Sequence, residues 1–414
     1  MAKAQLRAGR ADGAPLAPPR KRARGRLLRL VWSRPRLAVA RLPRRLRRAR
    51  HGLGAREVAV AYVMVLTSVL ATALMMELTL RGFGYSSSRP SAPARLMDDA
   101  HTVLLDCYPS NPRGYFDIDL RAGGMRERYK AVAAARRFEA VAERAPHAVE
   151  FHYNALGFRD RAFGPPAAGH RRVVVLGDSF TEGQGVKEPH TFARVLERTL
   201  GGSRWEVRNA GRRGTDFPAL YDTFQTVLPY GADVVVYSMV LNDAVQAPSF
   251  HDGQGYLNDW MTLRGRLTAN GGVDAPLSWY APRLWAFVRD RWESRSVSIA
   301  STRCYRDMYG EPNGEGWRRT QFLIRSMDAQ ARAHHARFVV ALWPWLVDLQ
   351  KDYPFEGAHQ VIRQFCRDAG ITFLDLRASL STQPAESLWV HPVDWHPNEI
   401  AHRLVGEALA DAVR

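Results

Sequence analysis

The chain has 414 residues, 46% hydrophobic and 10% aromatic, which is enough for one large core or two ordinary ones and too apolar for global disorder. Its net charge is +18, yet residues 1–50 hold 17 of the 59 basic residues against one acid, Asp12, and so carry +16, leaving +2 on the other 364. A basic nucleic-acid-binding domain is disfavoured, because its charge would lie on the folded part, and no specific nucleic-acid partner is expected.

In chain order, residues 1–56 read as an Arg-rich cytoplasmic tail, disordered or lying on anionic lipid. Val58 to Met76 follows as 19 residues without a charge, long enough for a helix to cross the bilayer's hydrocarbon core of about 30 Å. The anchor is placed at 57–80. Positive flanks stay inside, so the N-terminus is expected in the cytoplasm and the rest of the chain in the periplasm or cell exterior. The basic stretch before the span is too long for a cleaved signal peptide, and the apolar run exceeds the usual one, which favours an uncleaved anchor.

Residues 81–170 read as a linker and an N-terminal extension. The extension contains CYPSNPRGYFDIDL (107–120) and a helix-like stretch from Met125 to Arg144. From 171 to 414, short β-branched runs alternate with amphipathic segments. Arg172–Leu176, Trp205–Arg208, Asp233–Tyr237, Phe338–Leu342 and Ile371–Leu374 are predicted strands. Helices are predicted near 190–201, 217–229, 317–335, 357–369 and 398–413. Continuous apolar strands between helices imply an α/β fold, a three-layer α/β/α sandwich with a central, mostly parallel sheet. An insertion at about 245–316 carries Trp260, Trp279, Tyr280, Trp285 and Trp292, and its WYAPRLWAFVRDRW has helical spacing. Packing on the core and a cap over a site are both open readings of it.

The chain has three cysteines, Cys107, Cys304 and Cys366, and none lies within metal-ligand spacing of another, so no metal site is expected from them. In an oxidising periplasm Cys107 could pair with Cys304, leaving Cys366 as a core thiol.

The chemistry-bearing segment is VVVLGDSFTEG, Val173 to Gly183. A buried strand ends in Gly177-Asp178-Ser179, which lifts Ser179 off the carboxyl end of a central strand, where open α/β sheets bind ligands. A serine there is either a turn-capping residue or a nucleophile, and a nucleophile needs a base and oxyanion donors nearby. Asp178 reads as structural.

These blocks resemble the SGNH/GDSL hydrolase family, in order, across about 171–414. GDSF matches the nucleophile block and gives Ser179. NAGRRG (209–214) implies Gly214 as a backbone oxyanion donor, with Gly211 its competitor. VLND (240–243) implies Asn242 as a side-chain donor. DWHPNEIAHRLVGEAL implies His396 as general base and Asp394 as its orienting carboxylate, with Pro397 in the first turn of the last helix; His402 reads as a helix-face residue. NALGFRD (154–160) resembles a segment that precedes the catalytic domain in membrane-anchored members. The resemblance implies a flavodoxin-like fold with five strands and a serine esterase that needs neither metal nor cofactor. Its substrate would be an acyl or acetyl ester of a glycan or lipid. O-acyl transfer to envelope polysaccharide at the same site, and a non-catalytic envelope scaffold, are the alternatives. The chain departs from the family pattern twice: Val240 stands where G-x-N-D has glycine, and D-x-H replaces the commoner D-x-x-H. The second departure places in question whether Asp394 reaches the imidazole.

Overall fold

The computed structural model describes residues 54–83, 102–104, 116–129, 147–253, 280–391 and 394–414. The Arg-rich tail to residue 53, the Cys107 segment and the 254–279 stretch with Trp260 and Trp279 lie outside them. The chain divides into two compact units, Met1–Met75 and Met76–Arg414. In the first, the described residues belong to helix α1 (Ala55–Gly82), which continues past the boundary. It is long and apolar enough to cross a membrane.

Among the described residues, the second unit holds a four-stranded sheet, a five-stranded sheet and a two-stranded ribbon. Strands β1 (Thr102–Leu104), β2 (Phe116–Arg121), β3 (Gly124–Tyr129) and β4 (His147–His152) form an antiparallel sheet in that order. The helix expected from Met125 is therefore a strand as far as Tyr129, and 130–146 lie outside the described residues. The reason lies in the turn and the period. Arg121 pairs with Gly124 across a tight reversal, and alternation then puts Met125, Glu127 and Tyr129 on the buried face. A charged residue at an inward position hides that alternation from a reading based on apolar residues. The inward face packs Ile118, Met125, Tyr129, Val149 and Phe151 on Val390 of the following domain.

That domain is built on β5 (Arg171–Gly177), leading into a four-residue helix, α2 (Ser179–Glu182), and then α3 (Phe192–Leu200). Next come β6 (Trp205–Gly211), α4 (Phe217–Val227), β7 (Val234–Met239), α5 (Pro282–Asp307) and α6 (Gly314–Ala333). The chain continues with β8 (Arg337–Leu342), α7 (Glu356–Ala369), β9 (Thr372–Asp375), a ribbon of β10 (Trp389–His391) and β11 (Asp394–Pro397), and α8 (Glu399–Val413). The five strands β6-β5-β7-β8-β9 form a wholly parallel sheet. For this strand order the right-handed rule for parallel crossovers assigns α3 to one face and α4, α6 and α7 to the other. Helix α8 joins α3, where Gly406 lies against Val195. Strands β6 and β7 are buried along their whole length, as a sheet covered on both faces requires.

Of the insertion, residues 245–253 and 280–316 are described, among them a short helix, Pro248–Gly253, and α5. The end of α5 and the turn after it are core: Cys304, Met308 and Tyr309 are buried there, and Tyr305 lies 5.1 Å from Trp345, ring to ring. Cys304 and Cys366 are both buried free thiols, and Cys107, the partner expected for Cys304, lies outside the described residues.

Candidate active site

The chain leaves β5 leftward to β6 and returns to β7 on the other side, so the sheet's switch point lies at the carboxyl end of β5. That is where open α/β sheets form their crevice. Asp178 caps α2, accepting the Phe180 N–H at 2.9 Å, and sets Ser179 at the first helical position. Burial raises the Asp178 carboxyl above its ordinary range, although the Phe180 N–H, His396 and the Asn242 side chain act in the other direction.

Ser179 Oγ lies 2.9 Å from His396 Nε2, and His396 Nδ1 lies 2.5 Å from Asp394 Oδ1. Asp394 reaches the imidazole despite the shortened spacing because the segment is a strand. With a period of two, Asp394 and His396 share one face of β11 while Trp395 turns to the other and stacks on Trp389 at 5.6 Å. Pro397 is accordingly the last residue of β11, not part of the helix's first turn. Asn398 caps α8 by accepting the Ile400 and Ala401 N–H groups, and its amide donates to the Ser387 and Trp389 carbonyls. The imidazole also meets the Phe180 ring at 5.4 Å, and that ring stands edge-on to Trp343 and Trp345.

Burial alone would raise the Asp394 carboxyl, but the charge and hydrogen bonds of His396 hold it below the usual carboxylate range. Burial would lower His396, yet Asp394 raises it above the ordinary histidine value. His402 behaves oppositely. It is fully buried, its Nδ1 accepts the Phe192 N–H at 3.0 Å, and burial pushes it down to about 3, so it is a neutral packing residue.

The two glycine candidates separate. At Gly211 a Cβ would fall 2.4 Å from the Glu182 nitrogen, so the position must be glycine for β6 to approach α2. Its N–H is already given to Asn209 Oδ1 at 2.8 Å. Gly214, at φ +68°, is in the left-handed region, and among the described residues its N–H finds no acceptor. Asn242 follows β7, and its Oδ1 is likewise without a partner there. Val240 is not in the left-handed region, so its turn needs no glycine; its N–H donates to Asp243 Oδ2 at 2.9 Å. Burial, then the nearby Asp178, push the Asp243 carboxyl far above its ordinary range.

Sequence reading missed several residues around this centre. The Gln184 amide donates to Asp394 Oδ2 at 3.4 Å and lies 3.3 Å from His396 Nδ1. Arg159, from the segment noted before the domain, donates to the carbonyls of Gly183 and Val186 at 2.8 Å each, beneath α2. Its position in NALGFRD was the one available signal. Among the described residues no group of three His, Cys, Asp or Glu side chains is arranged to hold a metal ion.

A family model described as GDSL-like lipase/acylhydrolase matches residues 175–404, more than half of the chain. A search of curated proteins returned no match. Among solved structures, the chain is similar to an acetylxylan esterase, Axe2, from Geobacillus stearothermophilus (13% identity, 60% of this chain and 95% of that one, TM-score 0.36). It is also similar to the psychrotrophic esterase EstA from Pseudoalteromonas sp. (12% identity, 59% and 96%, TM-score 0.33). A third is LAE5, an alpha/beta hydrolase enzyme from the metagenome of Lake Arreo, Spain (14% identity, 60% and 96%, TM-score 0.36). On the extent of the family match, the chain belongs to the GDSL-like lipase/acylhydrolase family and is a serine hydrolase of the esterase type.

Proposed function

We propose that this protein is a membrane-anchored serine esterase that cleaves an acyl or acetyl ester of a cell-envelope glycan or lipid through an acyl-enzyme on Ser179. The observation that carries this reading is the continuous relay from Ser179 Oγ to His396 Nε2 at 2.9 Å and from His396 Nδ1 to Asp394 at 2.5 Å. Neutral His396 accepts the serine proton at Nε2 as Oγ attacks the ester carbonyl, and Asp394 stabilises the imidazolium and fixes its tautomer. The developing oxyanion is met by the N–H groups of Ser179 and Gly214 and by the Asn242 amide. Collapse of the tetrahedral intermediate breaks the bond to the alcohol, which leaves with the proton from His396. Water, deprotonated by the same imidazole, then releases the acid and restores Ser179.

Helix α1 and the +16 segment before it support an anchor with its N-terminus in the cytoplasm and the esterase domain outside. The test is hydrolysis of p-nitrophenyl acetate by the purified chain and by Ser179→Ala. Activity unchanged by the substitution would remove Ser179 from the mechanism. A labelled-acetyl assay with glycan acceptors separates water from a sugar hydroxyl as the second substrate.

A further inference from the structure

Arg213 stands where three parts of the molecule meet. Its Nη1 donates to Glu127 Oε1 at 2.7 Å and its Nε to Glu182 Oε2 at 2.5 Å. Glu127 projects from β3 of the antiparallel sheet with no exposed surface, and its other oxygen accepts the Gly185 N–H at 2.8 Å. Glu182 is the last residue of α2, the helix that begins with Ser179, and it also accepts the Tyr153 hydroxyl at 3.0 Å. The residue after Arg213 is Gly214. One guanidinium thus joins the extension, the nucleophile helix and the loop that carries the candidate oxyanion donor.

The network is deep. Glu127 and Glu182 are buried, and Phe151 is shared between Arg159 at 3.6 Å and Arg213 at 4.9 Å, so two carboxylates face two guanidinium groups stacked on one ring. Burying ions in this way returns little net stability, because desolvation offsets the attraction. Geometry is what such a network supplies. The rigid fork of Arg213 meets two carboxylates at set angles, which the point charge of a lysine cannot do.

We propose that Arg213, held by Glu127 and Glu182, is a positioning residue that sets the Gly214 N–H relative to Ser179, and that the antiparallel extension is thereby a working part of the active site rather than a spacer. This rests on reading Ser179 as nucleophile and Gly214 as oxyanion donor. A misplaced donor weakens binding of the tetrahedral state and leaves ground-state binding alone, so the loss falls on kcat.

The experiment compares the full chain in detergent with Arg213→Lys and Glu127→Gln. Active sites are counted with a fluorophosphonate, kcat and KM are read on p-nitrophenyl acetate, and affinity is read for a boronic acid that forms a tetrahedral adduct on serine. Expected is a fall in kcat per active site of about 10- to 100-fold, less than the ~10²–10³ for deleting a donor outright, with KM within about twofold. Boronate affinity should weaken by the same factor. A merely structural role would lower the number of active sites and leave kcat per site and boronate affinity unchanged, and that result overturns the proposal. Glu127→Gln keeps the side chain's shape and reads the same way if Arg213→Lys does not fold. Activity that survives Ser179→Ala would instead overturn the underlying assignment of the site, whereas Ser179-dependent activity untouched by both variants refutes only the role of Arg213.

Discussion

The parallel sheet and the antiparallel sheet of this protein use strands for different ends. Strands β5 and β7 are run through with valine and buried on both faces, and the candidate reacting groups sit at or beyond the carboxyl edge of that sheet. Strands β3 and β4 alternate and bury one face, in which β3 places a charge, and none of Ser179, His396, Asp394, Gly214 or Asn242 comes from the antiparallel sheet. The first sheet presents the candidate reacting groups; the second is bonded to loops beside them, through Glu127 to Gly185 and Arg213, and packs on Val390. The lesson is that burial of apolar runs fixes where strands lie, while the loops at their ends need separate polar fastening.

The contrast can be tested from the chemical side first. Ser179→Ala should cut kcat by about 10⁴-fold or more while leaving the thermal midpoint near that of the parent chain, as measured by ester hydrolysis and calorimetry. Equal losses of stability and activity would mean that the edge of the parallel sheet is structural. Asp394→Asn should cost about 10²–10⁴-fold in kcat/KM, because the amide favours the wrong imidazole tautomer; an unchanged rate would show that the carboxylate has no part in it.

On the supporting side, Phe151→Ala should destabilise the protein by about 3–5 kcal/mol, read from denaturant midpoints, since it removes a fully buried ring and the platform for two guanidinium groups. If the extension then melts separately while the esterase keeps its rate, the two sheets are independent and the comparison fails.

A subtler effect concerns pH. His396 must be neutral to act as base, and its folded pKa is raised, so the ascending limb of kcat/KM should centre above the ordinary value of about 6.5 and move down in Asp394→Asn. Stability moves differently. The raised His396 contributes below its unfolded pKa and loses that contribution as pH rises through the folded value. The depressed Asp394 contributes above its unfolded pKa and loses that contribution as pH falls through the folded value. The pair therefore stabilises most between about pH 4 and 6.5, below the pH at which it works best. The smallest change belongs to Gln184→Ala: a drop of about two- to tenfold in kcat, since its hydrogen bond to the Asp394 carboxylate is long, at 3.4 Å, and worth about 0.5–1.5 kcal/mol. A larger loss would place Gln184 among the groups that touch substrate.

Much of the hydrolase domain was legible because its signals are local. A run such as VVVLG bounded by Gly177 can be read without knowing its neighbours, and the spacing of WYAPRLWAFVRDRW, residues 279–292, announced the helix that starts at Pro282. The 19-residue apolar run likewise lies within a helix long enough to span a membrane. Where reading failed, two segments had to be brought together first. The strand at Met125 depends on pairing with β2 and β4, and its inward Glu127 is explained only by Arg213, far away in sequence.

The sequence by itself determined the residue types, their order along the chain and the strand ends that carry Ser179, Gly214 and Asn242, because periodicity and turn residues act over a few positions. Only tertiary structure decided that Asp394 reaches His396, since that depends on β11 pairing with β10 as an extended strand and so putting alternate residues on one face. It likewise decided that the +2 left outside the basic tail contains a largely buried cluster in which Glu127 and Glu182 balance Arg159 and Arg213. Charge balance across three elements is a property of their packing, which no local pattern records.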